Sequence, residues 1–151
     1  MKKIIIGSDH AGFAIKEALK PFLEEMGYEV KDCGPVEYNP TDDYPDYISP
    51  VAYEVSKHAG TVKGIVLGAS GQGEAIVANK YPHVRAVVYY GYQLEIVELS
   101  RLHNDANILS LGAKFINIEE AKTAVKLWLD TNFSEEDRHK RRLEEIENIK
   151  I

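Results

Sequence analysis

The chain has 151 residues, of which 44% are hydrophobic and 28% are charged, and this composition is typical of one folded domain with a sizeable core. It excludes a disordered chain and a membrane protein, and the apolar run at residues 4–6 is too short for a signal sequence or a membrane span. The formal net charge of -6 disfavours general binding to nucleic acids or to anionic membranes.

The single cysteine, Cys33, excludes an internal disulfide framework and a multi-cysteine metal site. It is also typical of a reducing compartment. We therefore expect a cytoplasmic protein that forms a single domain over residues 1–151.

Short apolar runs alternate with stretches of helical period, which is the pattern of βαβ units around a parallel sheet. The five predicted strands span residues 3–7, 28–32, 64–67, 85–89 and 107–111. Helical spacing of apolar residues predicts helices over residues 15–26 and 121–128. Pro21 is expected to kink the first helix or to restart it. The predicted fold class is α/β, with a five-stranded parallel sheet covered by helices.

Two segments differ from this alternation. Residues 33–50 hold four of the six prolines together with Asn, Thr and Asp residues, which predicts a loop long enough to carry function. In the tail, Ser134 is expected to cap a helix with an acidic first turn and strongly basic residues after it. Such a terminal helix has few neighbours in one small domain, so we expect it to pack on a second subunit.

Small and polar residues follow the predicted strands, where ligands bind in parallel α/β sheets. Asp9 and His10 follow the first strand, the glycine-rich segment 68–74 follows the third, and the helix after the fourth strand ends in His103. An acid beside an imidazole at a strand's carboxyl end favours a site over a polar turn. His103 is either a favourable helix C-terminal cap or a site residue.

The glycine-rich segment 68–74 has the spacing of a strand, a tight turn and a helix start, where free backbone N–H groups bind an anion. It is not a Walker A loop, because no Lys-Ser/Thr follows, and it lacks the third glycine of the dinucleotide fingerprint. The alternative is a tight turn that needs only glycine dihedrals. Glu74 is either a helix-start acid, stabilised by roughly 0.3–1 kcal/mol, or a general base.

The basic run at residues 138–142 stands out in an acidic chain. Arg138 and Arg142 are four residues apart on one helix face, and two guanidinium groups there suit a phosphate monoester. The alternative is a solvated face paired with Glu135, Glu136, Glu144 and Glu145. A nucleic-acid surface is poorly supported, because the patch is one helical turn without interleaved aromatic residues.

Five blocks in chain order together resemble the type B ribose-5-phosphate isomerase family, which also includes the galactose-6-phosphate isomerases. The blocks lie at residues 7–12, 43–47, 68–80, 103–107 and 138–142, and the resemblance covers residues 3–146. It implies a Rossmann-like domain of three layers that works as a homodimer or a dimer of dimers with shared active sites. It also implies metal-free aldose–ketose isomerisation through a cis-enediolate, without a cofactor, after the furanose ring opens.

One departure from the family pattern concerns the catalytic base. Many members carry a cysteine at the end of the third strand, in a Cys-Gly-Thr-Gly-x-Gly turn, where this chain has Gly68. A second subgroup has Gly-x-Ser-Gly-x-Gly-Glu and uses the glutamate, and residues 68–74 match that form. The resemblance therefore implies that Glu74 moves a proton between C1 and C2. Cys33 lies in another block and does not replace the missing cysteine.

Matching positions imply the other roles. The Ser70 hydroxyl and nearby backbone N–H groups bind the enediolate oxygens, His103 opens the ring as acid and base, and Asn104 binds a sugar hydroxyl. The implied catalytic residues are Glu74, His103 and Ser70. The implied substrate-binding residues are Asp9, His10, Ala69, Ser70, Gly71, Gln72, Gly73, Asn104, Lys114, Arg138 and Arg142.

The phosphate contacts include a second departure. His10 is expected near the phosphate, and Arg138 and Arg142 are expected to clamp it from the partner subunit. Lys114 stands where the family usually has an arginine that also meets the phosphate. Lysine keeps the charge but loses the planar fork of donors.

The implied reaction interconverts ribose 5-phosphate and ribulose 5-phosphate, a step of the pentose phosphate pathway. Relatives with the same chemistry act on four-carbon erythrose or erythrulose phosphate or on six-carbon allose or galactose 6-phosphate, and these motifs do not determine chain length. A non-catalytic sugar-phosphate-binding module is a further alternative. The presence of Glu74 and His103 favours an enzyme over that module. No nucleic acid or membrane is expected as a partner.

Overall fold

The computed structural model describes residues 2–150, so the predicted domain ends, Met1 and Ile151, lie outside the described residues. The strands are β1 (Lys3–Ser8), β2 (Glu29–Asp32), β3 (Val62–Gly68), β4 (Ala86–Tyr89) and β5 (Ile108–Gly112). The helices are α1 (Phe13–Glu25), α2 (Pro45–Lys57), α3 (Gln72–Ala78), α4 (Leu94–Leu102), α5 (Ile118–Asp130) and α6 (Asp137–Glu147). All five predicted strands are confirmed. Within residues 2–150, no helix is both long and apolar enough to cross a membrane.

The sheet has the strand order β2-β1-β3-β5-β4, and all neighbouring strands are parallel. From β1 the chain moves to the edge strand β2 and then returns to the other side of β1 to form β3. Ile4 pairs with Val30 of β2, and Ile6 pairs with Ile65 of β3. The connection from β1 to β2 and the connection from β2 to β3 therefore run in opposite directions across the sheet. This reversal opens a crevice at the carboxyl ends of β1 and β3, where ligands bind in open α/β sheets.

The sheet separates two apolar clusters, which confirms the three-layer α/β prediction. Ile65 and Leu109 pack with Trp128 of α5 in the cluster that also includes residues of α1 and α4. Val66 and Ile108 pack on the other face in the cluster that includes residues of α2 and α3. Successive strand residues point to opposite faces, so a strand covered on both sides needs a continuous apolar run.

Two expectations about prolines need correction. Helix α1 continues through Pro21, so the predicted restart is wrong and a kink stays a prediction; the fully buried Leu19 and Leu23 on either side offset the lost helical hydrogen bond. The predicted loop at residues 33–50 ends earlier, since α2 begins at Pro45 and contains Pro50. Proline at the first helical position has a suitable φ and leaves no N–H unpaired.

The expected cap at Ser134 is also wrong. Helix α6 begins at Asp137, and Glu136 is the residue before it. Ser134 Oγ accepts a hydrogen bond from the Glu136 N–H at 3.4 Å, while Ser134 N–H donates to Leu102 O at 3.2 Å. Ser134 therefore belongs to a turn that ties the start of α6 to the end of α4.

Candidate active site

Asp9 lies at the carboxyl end of β1 and is held by backbone groups. Its Oδ1 accepts hydrogen bonds from the N–H groups of Ala11, at 2.9 Å, and Gly12, at 3.3 Å. Its own N–H donates to Leu67 O of β3 at 3.3 Å. Asp9 is only 7% exposed. These bonds hold a carboxylate at the crevice between β1 and β3.

His10 is oriented by Asp42, which the sequence reasoning missed. The imidazole Nδ1 lies 2.8 Å from Asp42 Oδ1, and the His10 backbone N–H donates to the same oxygen at 3.0 Å. This hydrogen bond raises the pKa of His10 above its usual value. The only signal for Asp42 in the sequence was its place in the polar part of the predicted loop.

Asp9, His10 and Asp42 could each offer a metal a ligand atom, and these atoms lie within 4.8 Å of one another. Asp9 Oδ1 accepts from backbone donors and Asp42 Oδ1 pairs with His10, whereas Asp42 Oδ2 is buried and has no hydrogen-bond partner within residues 2–150. The prediction that no metal takes part in the chemistry stays a prediction.

The glycine-rich segment forms a tight turn between β3 and α3. Gly71 has a φ of +81°, which favours glycine, and its carbonyl accepts a hydrogen bond from Ser110 Oγ at 2.7 Å. Ser70 Oγ accepts from the Gln72 N–H at 3.2 Å. The N–H groups in the first turn of α3 have no helical partner. The turn therefore offers donors at the same crevice.

The Glu74 carboxylate occupies the space directly beside Gly68. A Cβ added to Gly68 would overlap Glu74 Oε1 and would lie 2.7 Å from Oε2. Glu74 is 4% exposed, and this burial raises the pKa of its carboxyl group, with a further contribution from the charge of Asp9. The carboxylate thus stands where a side chain at position 68 would begin.

Two further residues border the turn. The Lys114 N–H donates to Ala69 O at 3.0 Å, and the Lys114 residue is exposed. Tyr44 lies over Gly73, since a Cβ added there would be 2.7 Å from the phenol Cζ. Sequence reasoning did not single out Tyr44, although it lies in the block at residues 43–47. The carboxyl edge thus holds the predicted residues Asp9, His10, Ala69, Ser70, Gly71, Gln72, Gly73, Glu74 and Lys114.

The structure does not bring His103 and Asn104 to this group. Helix α4 starts beyond the carboxyl end of β4 and returns along the sheet for nine residues, or about 13 Å. His103 therefore lies near the amino end of β5. The turn after it is fixed there, because the Arg85 N–H donates to Asn107 Oδ1 at 2.7 Å just before β4.

Helix α6 lies at this amino edge with His103. The imidazole rings of His103 and His139 stack with centroids 4.2 Å apart and an angle of 17° between their planes. His139 is 5% exposed, and this burial, together with neighbouring His103, lowers its pKa. Arg138 and Arg142 are exposed on the same helix. The predicted site residues thus form two groups on opposite edges of the sheet.

The alternative interpretation of the basic run, a solvated face, stays open, since Arg138 and Arg142 are exposed and both Arg138 and His139 lie near Glu136. Arg138 lies 3.7 Å from Glu136, one of its four predicted partners. Within residues 2–150, Arg142 forms no ion pair with any of them. Its side chain is therefore available to another molecule.

The fold belongs to the class of open parallel α/β proteins, whose ligands bind at the carboxyl edge of the sheet. Residues 4–146 match the family described as Ribose/Galactose Isomerase, and the chain belongs to this family.

Several proteins similar to this chain are named ribose-5-phosphate isomerase B. The chain is 41% identical over 150 residues to ribose-5-phosphate isomerase B of Escherichia coli K12, covering 99% of this chain and 97% of that protein. The chain is also 36% identical over 142 residues to ribose-5-phosphate isomerase B of Mycolicibacterium paratuberculosis, and the match covers 94% of this chain and 87% of that protein. The fold matches the crystal structure of ribose-5-phosphate isomerase B from Mycoplasma genitalium with bound ribulose-5-phosphate, with a TM-score of 0.92 and 33% sequence identity. The match covers 96% of this chain and 93% of that chain.

Proposed function

We propose that this protein is an aldose–ketose isomerase that interconverts ribose 5-phosphate and ribulose 5-phosphate. The observation that carries the proposal is the buried Glu74 carboxylate beside Gly68, next to a helix start whose N–H groups have no helical acceptor. Such a site combines a base with donors for a developing oxyanion. The names of the relatives, and the ribulose-5-phosphate bound to one of them, support the choice of substrate.

In this mechanism Glu74 takes the proton from C2 of the open-chain aldose and returns it to C1. The electron pair of the broken C–H bond forms the C1–C2 double bond of the cis-enediolate, and the charge develops on the former aldehyde oxygen O1. The O2 hydroxyl proton moves to O1 as the carbon proton returns to C1, which leaves the ketone at C2. N–H groups of the turn from Ser70 to Gly73 stabilise that charge. Ser70 Oγ already accepts from the Gln72 N–H, so its own proton is free to point to a substrate oxygen. This route needs no cofactor.

The site is completed by a second copy of the chain. His103, Asn104, Arg138 and Arg142 lie at the amino edge, whereas Glu74 lies at the carboxyl edge. A homodimer that sets the amino edge of one chain against the carboxyl edge of the other forms two equivalent sites. Helix α6 then packs on the partner with its exposed Ile146, together with the exposed Ile149 just after the helix.

In the assembled site, the partner's His103 opens the furanose ring and its Asn104 binds a sugar hydroxyl. Asp9 contacts the substrate at the crevice, while His10 and Lys114 meet the phosphate. The two arginines of α6 clamp the phosphate from the other side, which positions the reacting carbons. The cytoplasmic location stays a prediction.

The test is proton NMR of ribose 5-phosphate in D2O with the wild-type protein. We expect formation of ribulose 5-phosphate and incorporation of deuterium at the carbon next to the carbonyl. Conversion only of a four-carbon or six-carbon sugar phosphate would correct the substrate and keep the reaction class. Binding without conversion of any of these substrates would contradict the assignment as an isomerase and support a non-catalytic sugar-phosphate-binding module.

Substitution Gly68→Ala is expected to lower kcat by at least about 100-fold, the lower range for loss of a general base. The new Cβ displaces the Glu74 carboxylate from its position. Steady-state kinetics with circular dichroism as a check of folding measure the effect. In a Gly68→Ala, Glu74→Gln double variant, no further loss beyond Glu74→Gln is expected, because both changes remove the same group.

Substitution Cys33→Ser is expected to change kcat by less than about twofold, because the site chemistry does not involve this thiol. Cys33 follows β2, and burial raises its thiol pKa, which disfavours the reactive thiolate. Kinetics of the purified variant test this expectation. A drop of kcat by more than about tenfold with unchanged folding would contradict the assignment of Glu74 as base.

A further inference from the structure

A cavity at the amino edge of the sheet, here called the basic cavity, lies on the same edge as His103 but has a lining of its own. Its volume is about 390 Å³. It lies between the starts of β1 and β3, the segment before β4 and the end of α4. Its lining includes none of the residues assigned above to the isomerase site.

Cationic side chains from these four segments converge on the basic cavity, in a chain whose net charge is -6. They are Lys2, Lys3, Lys63, Arg85 and Arg101. Among the described lining residues, Asp105 is the one carboxylate. The local charge therefore opposes that of the whole protein.

The carboxylates nearby neutralise only part of this charge. Asp105 lies 2.8 Å from Arg101 Nη1 and 3.4 Å from Arg85 Nη2, and Arg85 Nη1 also lies 3.3 Å from Glu147. Lys3 lies 3.5 Å from Glu29. For Lys2 and Lys63, no ion pair is found anywhere in residues 2–150. Two ammonium groups of the cavity are thus left for another anion.

Lys63 is one of the cations that line the cavity. It lies on β3 with its side chain on the same face as Ile65, and it is half-buried. Burial lowers the pKa of Lys63, and the charges of Arg101 and Lys2 lower it further. A partly desolvated ammonium among like charges costs free energy that a bound anion recovers.

We propose that the basic cavity binds the di- or triphosphate group of a small molecule, with Lys63 and Lys2 as its main contacts. Its volume lies within the range of small-molecule sites. Several convergent cations suit a polyanion better than a single carboxylate, and arginine adds paired donors. Tyr28 also lines the cavity and offers an aromatic surface to an attached base.

Calorimetric titration of the full chain with sodium pyrophosphate tests the proposal. Lys63→Met is expected to weaken binding at this site by at least about tenfold, and Lys2→Gln by about threefold, because each removes a charge-assisted contact. Lys57→Met removes the same charge from an exposed position at the end of α2 and is expected to change Kd by less than about twofold. Lys2 is exposed, so Lys2→Gln tests the site even if Lys63→Met does not fold.

Pyrophosphate can also occupy the proposed substrate phosphate site, so the titrations are repeated with Arg142→Ala. Pyrophosphate binding that persists there and is lost in Arg142→Ala, Lys63→Met supports the basic cavity. Complete loss in Arg142→Ala alone, or equal effects of Lys63→Met and Lys57→Met, would overturn the proposal. These binding readouts are independent of isomerase turnover.

A parallel titration with ATP distinguishes the source of the polyphosphate. Tighter binding of ATP than of pyrophosphate indicates a nucleotide that also contacts Tyr28. Equal affinity indicates that the polyphosphate group alone is recognised. Absence of binding by both probes at millimolar concentration would refute the proposal.

Discussion

Replacing Glu74 with glutamine is expected to lower kcat for ribose 5-phosphate by about 1,000-fold, within the range for loss of a general base. The amide keeps the shape of the side chain but cannot take the proton from C2. The phosphate contacts lie elsewhere in the site, so KM is expected to stay within about threefold of the wild-type value. Deuterium exchange from D2O into the substrate should fall together with conversion.

The dependence of kcat on pH provides a second test of Glu74 as the base. The base acts in its deprotonated form, so kcat falls as the pH drops through its pKa. Burial raises that pKa, which places the acidic limb of the profile above the ordinary range for glutamate, about 4.3. The remaining activity of Glu74→Gln should lack this limb.

The thermal stability of the Glu74→Gln variant distinguishes a catalytic base from an acid that stabilises the fold at this position. A carboxyl group whose pKa is raised by folding binds protons more tightly in the native state, so its contribution to stability falls as the pH rises through the raised pKa. Glu74→Gln is therefore expected to unfold at a temperature no lower than wild type at pH 7. The exposed Glu37→Gln serves as the matched control.

A Glu74→Gln variant that keeps more than about a tenth of wild-type kcat would contradict the proposed mechanism.

Mixing two inactive variants is expected to restore activity if each site is shared between two chains. Glu74→Gln damages only the carboxyl edge of its own chain, and His103→Asn damages only the amino edge. After subunit exchange, half of the dimers are mixed, and each mixed dimer has one intact site. The expected activity is about one quarter of the wild-type value for the same total protein.

A matched control uses two variants at the same edge. Gly68→Ala and Glu74→Gln both damage the carboxyl edge, so a mixed dimer contains no intact site and the mixture stays inactive. Mass spectrometry under native conditions confirms that mixed dimers form. An inactive mixture of Glu74→Gln and His103→Asn, with mixed dimers present, would refute the shared site.

Local patterns in the sequence were sufficient for most of the fold. The spacing of apolar residues along a strand or helix reflects which of its side chains face the core. This local pattern was enough to predict all five strands and the helices α1 and α5. The carboxyl ends of parallel strands share one edge, so Asp9, His10 and Glu74 could be expected near one another. The prolines of α2 misled this reasoning, because proline composition predicts loops while burial of the opposite helix face stabilises a helix.

Other features depend on contacts between residues far apart in the chain. The pairing of His10 with Asp42 and the stacking of His103 on His139 join segments that have no common local pattern. The position of the Glu74 carboxylate beside Gly68 follows from the turn between β3 and α3. Sequence alone determined which chemical groups the protein carries and which strands present them. The fold places His103 and Glu74 on opposite edges, because a helix that follows a parallel strand must return to the amino end of the sheet before the next strand begins.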